Sequence, residues 1–129
     1  MATFDIRTAE RACVVDITSR VRAEVAASGV SGGICVVGSP HTTVGITVNE
    51  PDSDLFGDLL NLVENAAPRD GRYRHPDNSD SHLKALLLGG SVVLPVVDGD
   101  LDLGIWQAVL LCEFDGPRSR TVRVDLVGD

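Results

Sequence analysis

The sequence predicts an α+β fold with an antiparallel core and two or three short helices. Three observations lead there. Strand-like segments come in runs with a few helical patterns between them, which favours α+β over an alternating parallel arrangement. Asp98-Gly99 separates two apolar segments and marks a tight hairpin. The segment Thr121 to Val127 sets Val122, Val124 and Leu126 against Thr121, Arg123 and Asp125, the period of a half-buried strand.

Each element has its own local reason. Thr3 to Thr8 alternates, with Phe4 and Ile6 on one face, and Cys13 to Asp16 is a second short strand. Thr18 is a candidate N-cap for a helix over Ser19–Ser28, with Val21 and Val25 as its apolar stripe and Gly29 as its stop. Gly32-Gly33 opens a buried strand, Ile34 to Val37, which Gly38-Ser39-Pro40 interrupts. The next strand, Thr43 to Asn49, runs between His41 and Glu50. Pro51 ends it, and Asp52, Ser53 or Asp54 caps a helix from Leu55 to about Ala66. Pro68 stops that helix. A polar loop follows, Arg69 to Ser81, before a short helix from His82 to Leu88 that Ser81 caps and Gly89 or Gly90 closes. Ser91–Val97, Leu101–Leu103, Trp106–Phe114 and Thr121–Val127 then read as strands, with Asp115-Gly116-Pro117 turning the chain between the last two.

At 129 residues the chain fits one domain, 1–129, without a linker or internal repeat. A formal charge of −8 argues against general nucleic-acid binding and against an anionic membrane surface. A small anionic ligand stays open, because a local arginine cluster or a metal can reverse the field inside one pocket. No apolar run approaches a membrane span and the N-terminus has no signal-peptide pattern, so the expectation is a cytoplasmic protein. Cys13, Cys35 and Cys112 lie in apolar runs without a CxxC pair and read as reduced core thiols.

The chemistry-bearing residues gather in two stretches. The chain's three histidines, His41, His75 and His82, all fall at element ends beside carboxylates or amides. The loop that holds His75 is long for a connection without its own structure, and loops of that kind are commonly functional or disordered. Three imidazoles fit a divalent ion with one position open for water or substrate. The competing structural role is that each histidine hydrogen-bonds locally. The same stretch also suits phosphate: His75 with Arg72, Arg74 and Lys84, beside the helix start at His82. Against it stands the plainer reading of a solvated charged loop. Glu50 and Glu113 are candidate general bases or strand-end surface charges, Asp52 and Asp54 suit the positive end of a helix, and Trp106 reads as core. His41 and Glu50 flank a strand whose ends stand about 20 Å apart, so they share a site only across subunits.

The motifs HTTVGITVNE, RHPDNSDSHLKALLLG and SVVLPVVDGDLDLGIWQAVLLCEFDGPR occur here in this order. In this they resemble the YjbQ-like proteins, also called secondary thiamine-phosphate synthase-type proteins, over nearly the whole chain. The family's G-T-W-Q motif is Gly104-Ile105-Trp106-Gln107 here, so no hydroxyl is expected at position 105. The resemblance implies a sandwich-like core and a homotrimer with polar sites near subunit boundaries. It implies a metal on His41, His75 and His82: zinc, or magnesium for turnover. The implied activity is transferase chemistry that joins a pyrimidine diphosphate to a thiazole phosphate and releases pyrophosphate. Glu50 and His82 would then be catalytic. Arg74, Asn78, Lys84, Trp106 and Gln107 would meet the substrate. The alternatives are a non-catalytic trimer that binds a metal or a small phosphorylated ligand, and a metal-dependent phosphoester hydrolase.

Overall fold

Alternating apolar residues fold the chain into eight strands and three helices: β1 (Ala2–Arg7), β2 (Cys13–Asp16), α1 (Thr18–Ser28), β3 (Gly33–Gly38), β4 (Val44–Asn49), α2 (Ser53–Ala66), α3 (Ser79–Leu88), β5 (Ser91–Val97), β6 (Asp100–Leu101), β7 (Ala108–Glu113) and β8 (Ser119–Gly128). The computed structural model describes all of residues 1–129. Every strand pair is antiparallel, in a five-stranded sheet ordered β1-β8-β3-β5-β6 and a three-stranded sheet ordered β2-β7-β4.

The core lies between the sheets. Phe4, Cys35, Val37, Leu94, Val96, Val122 and Val124 of the larger sheet meet Val44, Ile46, Val109 and Leu111 of the smaller one, and α1 adds Val21 and Val25. The other face of the smaller sheet packs Cys112 of β7, with Phe114 just beyond it, under Val63 of α2 and Ala85 of α3. β7 is therefore covered on both sides, and all six of its residues are buried. Its unbroken apolar run, instead of an alternation, follows from that position.

α3 can lie this close to β4 because residue 45 is glycine. A Cβ there would stand 2.8 Å from Leu88 Cβ. Gly45→Ala should therefore push α3 outward and lower stability by about 1–3 kcal/mol. Urea denaturation measures this, and a midpoint equal to that of the parent protein would refute the packing account.

Several boundaries differ from the sequence expectation, each for a tertiary reason. α1 starts at Thr18 with Ile17 in the cap position; the Thr18 hydroxyl instead donates to Asp16 and accepts the Val109 N–H at 2.9 Å. α3 begins at Ser79, not His82, with Asn78 in the cap position. Ser81 is no cap, because its hydroxyl is buried and donates to the Phe114 carbonyl at 2.6 Å. The second strand of the Asp98-Gly99 hairpin is only Asp100–Leu101. Trp106 is not core: β7 begins at Ala108, and Trp106 lies 70% exposed on the preceding loop. There the Gln107 N–H bonds the Gly104 carbonyl at 2.9 Å and the Gly104 N–H returns to the Gln107 side chain at 2.8 Å.

Candidate functional site

Strand parity builds the floor of the site. On β8 the inward residues are Val124, Val122 and then Arg120; on β7 they are Val109, Leu111 and then Glu113. The core thus ends in a charged pair where each strand carries its next inward side chain. Arg120 and Glu113 are 4% and 0% exposed. Arg120 Nε donates to Glu113 Oε1 at 2.8 Å, and Nη2 donates to Glu113 Oε2 and, at 2.8 Å, to Thr43 Oγ1. Glu113 also accepts from the Thr8 hydroxyl at 2.7 Å and from the backbone N–H groups of Phe114 and Asp115. Burial opposes charge on Glu113, but the bonds from Arg120, Thr8 and the Asp115 backbone outweigh it and hold the carboxyl below its ordinary range. Glu113 is thus neither a surface charge nor a free base.

Arg120 has one nitrogen left. Nη1 makes no bond within the protein, and no buried side-chain nitrogen or oxygen lacks a partner, so Nη1 is open to solvent. It sits in a cleft of about 330 Å³ walled by Pro40, His41, Thr42, Thr43, Asn78, His82, Asp115, Arg118 and Arg120, none of them a large apolar residue. Three segments meet here: the β3–β4 connection, the start of α3 and the β7–β8 turn. Asp115 ties the last two together, accepting from Arg11 at 3.1 Å, Asn78 at 2.9 Å and Arg118 at 3.3 Å. Gly116 permits the turn to pack against Glu113, since a Cβ there would stand 2.9 Å from Glu113 Cγ and clash with the Glu10 carbonyl.

His41 enters the cleft for a backbone reason. β3 ends at Gly38, opposite Arg123 of β8, so Thr121 has no strand partner on that side. His41 Nε2 accepts the Thr121 N–H at 2.9 Å in its place. A neutral imidazole bonded this way carries its proton on Nδ1 and offers a donor, not a free lone pair. Burial and then the Arg120 charge lower the His41 pKa from its ordinary 6.5, which favours that neutral form.

Stability should therefore follow pH in two stages. The unfolded His41 binds its proton more readily than the folded one, so its contribution is complete above 6.5 and is lost as pH falls through the lower folded value. Glu113 and Asp80, both held low when folded, contribute fully above the ordinary carboxylate values of 4.5 and 3.8 and lose that contribution as pH falls through their folded values. Melting temperature recorded against pH should drop first below about 6.5, then again in acid. His41→Gln should remove the first drop; a profile superimposable on the parent's would contradict the role given to His41.

The other expected residues separate. Asn78 and His82 line the cleft with His41. The exposed His75 ring packs edge-on against His82 at 4.9 Å. Arg74 is exposed, forms no ion pair and lies outside the cleft wall. Lys84 does not line the cleft: it is 6% exposed and bridges Asp80 at 2.9 Å and Glu64 at 2.7 Å. Burial raises the Asp80 pKa, but Lys84 and Arg11 outweigh it and keep the carboxyl charged. Glu50, Trp106 and Gln107 stand at the far end of the β4–β7 pair. There Asn49 opposes Ala108, whereas Val44 opposes Glu113 at the histidine end. The cations that do face the cleft, Arg118 and Arg120, lie outside the residues selected by motif. The parity of β8 was the signal for Arg120.

The donor set does not fit a three-histidine metal centre within one chain. No three His, Cys, Asp or Glu side chains stand close enough to share an ion, and His41 Nε2 is already engaged by Thr121. A metal here would require His41 to give up that bond.

Two antiparallel sheets with three helices place the chain among small α+β proteins. The chain belongs to the YjbQ-like UPF0047 protein family, whose model matches residues 2–129. A UPF0047 protein of Methanothermobacter thermautotrophicus is 44% identical over 126 residues, covering 95% of this chain and 88% of that one. The UPF0047 protein YugU of Bacillus subtilis is 37% identical and covers 99% of both chains. Among solved structures, a hypothetical protein of Aeropyrum pernix superimposes with a TM-score of 0.96 at 36% identity, covering 99% of this chain and 98% of that one. An uncharacterised conserved protein of the yjbq/upf0047 family from Clostridium acetobutylicum gives 0.95 at 41% identity, covering 98% and 100%. No helix is long and apolar enough to cross a membrane.

Proposed function

We propose that the cleft binds the phosphate group of a small phosphorylated molecule. The observation that carries this reading is Arg120: a buried guanidinium, fixed by Glu113 and Thr43, with Nη1 left free at the base of a polar cleft. A guanidinium fixed in this way loses little entropy when it meets a phosphate oxygen. Arg118 at the rim, the His41 Nδ1–H and the Thr42 and Thr43 hydroxyls supply further donors around it. Asp115 keeps the cleft from becoming a general anion trap by neutralising part of its charge.

Thiamine-phosphate synthase-type transfer is the narrower form of this reading. The same cations would offset the charge that builds on a departing pyrophosphate. A homotrimer belongs to the same reading, and one observation supports it: Ile105 and Trp106 are 91% and 70% exposed on a loop tip, at the end of the chain's β4–β7 pair remote from the cleft. In a trimer that tip, with Glu50 and Gln107, would approach a neighbour's cleft. Light scattering after size exclusion gives the subunit number directly.

Calorimetric titration of EDTA-treated protein with inorganic phosphate and pyrophosphate tests the core proposal. Saturable 1:1 binding per chain is expected, weakened by added salt because it is electrostatic. Binding that appears only when zinc is restored would replace this reading with a metal-dependent one.

A further inference from the structure

The helix-covered face of the smaller sheet is filled at one end only. Alternation along β4 turns Val44, Ile46 and Val48 to the larger sheet, and Gly45, Thr47 and Asn49 to the helices. Opposite these three on β7 stand Cys112, Leu110 and Ala108. Leu88 fills the space over Gly45, and Val63 packs with Cys112. One step further along, the packing stops short, and a recess of about 130 Å³ opens between the strands and the first half of α2. Leu110 is its floor; Leu55, Phe56 and Leu59 of α2 and Leu88 of α3 are its walls. The walls are reachable from solvent: Leu55 is 36% exposed, and Phe56, Leu59 and Leu88 are half-buried. No charged side chain borders the recess, but two polar ones do. The Thr47 hydroxyl makes no hydrogen bond within the protein, and no buried side-chain oxygen lacks a partner, so it stays open to solvent. Asn49 Oδ1 accepts the Glu50 N–H at 2.8 Å, which leaves the Asn49 amide nitrogen free. The recess shares no lining residue with the polar cleft.

We infer that this recess is a second binding site, for a small neutral compound made of one aromatic ring with a single hydrogen-bonding substituent. Size sets the ring count, since an apolar cavity of about 150 Å³ holds one benzene ring. The walls set the charge, because an ion would lose its hydration here with no opposite charge beside it. Phe56 favours an aromatic ring over a saturated one through ring–ring contact. The ring lies among Phe56, Leu59 and Leu88 above Leu110. Its substituent points to Thr47 and Asn49, where a free hydroxyl and a free amide N–H can both bond a ring oxygen. This site takes a neutral ligand where the polar cleft takes an anion, and it stands whether or not the cleft binds phosphate.

The test titrates ¹⁵N-labelled protein with phenol, toluene and benzoate at one pH and salt concentration and follows the amide resonances. Phenol should shift Thr47, Asn49, Leu55, Phe56, Leu59 and Leu88 along one saturable curve, and benzoate should leave them in place. Thr47→Val, which keeps the shape of the side chain and removes its hydroxyl, should weaken phenol about fivefold, the loss of one neutral hydrogen bond. The same change should leave the toluene affinity as it was. Phenol shifts that are absent from these residues, or that spread over the surface without saturating, would overturn the inference. So would benzoate binding as tightly as phenol, or a phenol affinity that Thr47→Val leaves unchanged.

Discussion

Glu113→Ala is expected to be among the most damaging single changes in the chain, lowering unfolding free energy by about 3–5 kcal/mol. The loss comes less from the missing attraction than from what remains. Arg120 would keep its charge at 4% exposure with only Thr43 as a partner, and the Asp115 N–H would lose its acceptor. Replacing both members, Glu113→Leu with Arg120→Met, should recover part of the loss, because a buried ion pair contributes little net stability against apolar residues of similar size. Urea denaturation of the two single variants and the double variant separates these terms. A Glu113→Ala midpoint close to the parent's would mean that the pair is not buried as described. The double variant should fold and still fail to bind phosphate, which isolates the function of the pair from its contribution to stability.

Arg120→Lys is the second large effect, and it falls on binding. Lysine keeps a positive charge beside Glu113, but its single nitrogen cannot stand at once where Nε and Nη2 meet Glu113 and Thr43 and where Nη1 faces the cleft. Loss of one charge-assisted hydrogen bond should weaken phosphate binding by about 10- to 100-fold. Arg118→Ala should cost only a few-fold, because its side chain is 57% exposed and already tied to Asp115. The ranking is the useful result: if the Arg118 change proved more harmful than the Arg120 change, the rim would be the binding element and the buried guanidinium only structural.

Much of the fold was legible because period and burial coincide. β8 alternates where one face is core, and β7 runs apolar where both faces are covered. The boundaries that shifted were set by partners distant in sequence. Ser81 looks like a cap until Phe114 claims its hydroxyl, and Thr18 until Asp16 and Val109 claim its own. Trp106 looks like core because size suggests burial, yet it lies beyond the strand that would have buried it.

The candidate cleft was half legible. Of the residues expected at a site, His41, Asn78 and His82 line one cleft in the structure. Arg74 and Lys84 lie outside the cleft wall, because charge near a histidine in sequence is not charge near it in space. Lys84 is four residues after Asp80 on a helix, and that spacing pairs them. Arg120 was readable in retrospect by extending the Val124–Val122 face one step. Nothing in the sequence, however, marks Glu113 as its partner across the sandwich.

Chemical-shift mapping tests the central claim most directly. With inorganic phosphate added to ¹⁵N-labelled protein, the account predicts that the largest changes fall on Thr42, Thr43, Asn78, His82, Arg118 and Arg120, including the Arg120 side-chain resonance. The Gly104–Gln107 loop should stay unmoved. Changes centred on that loop, or none at the Arg120 side chain at saturating phosphate, would contradict it.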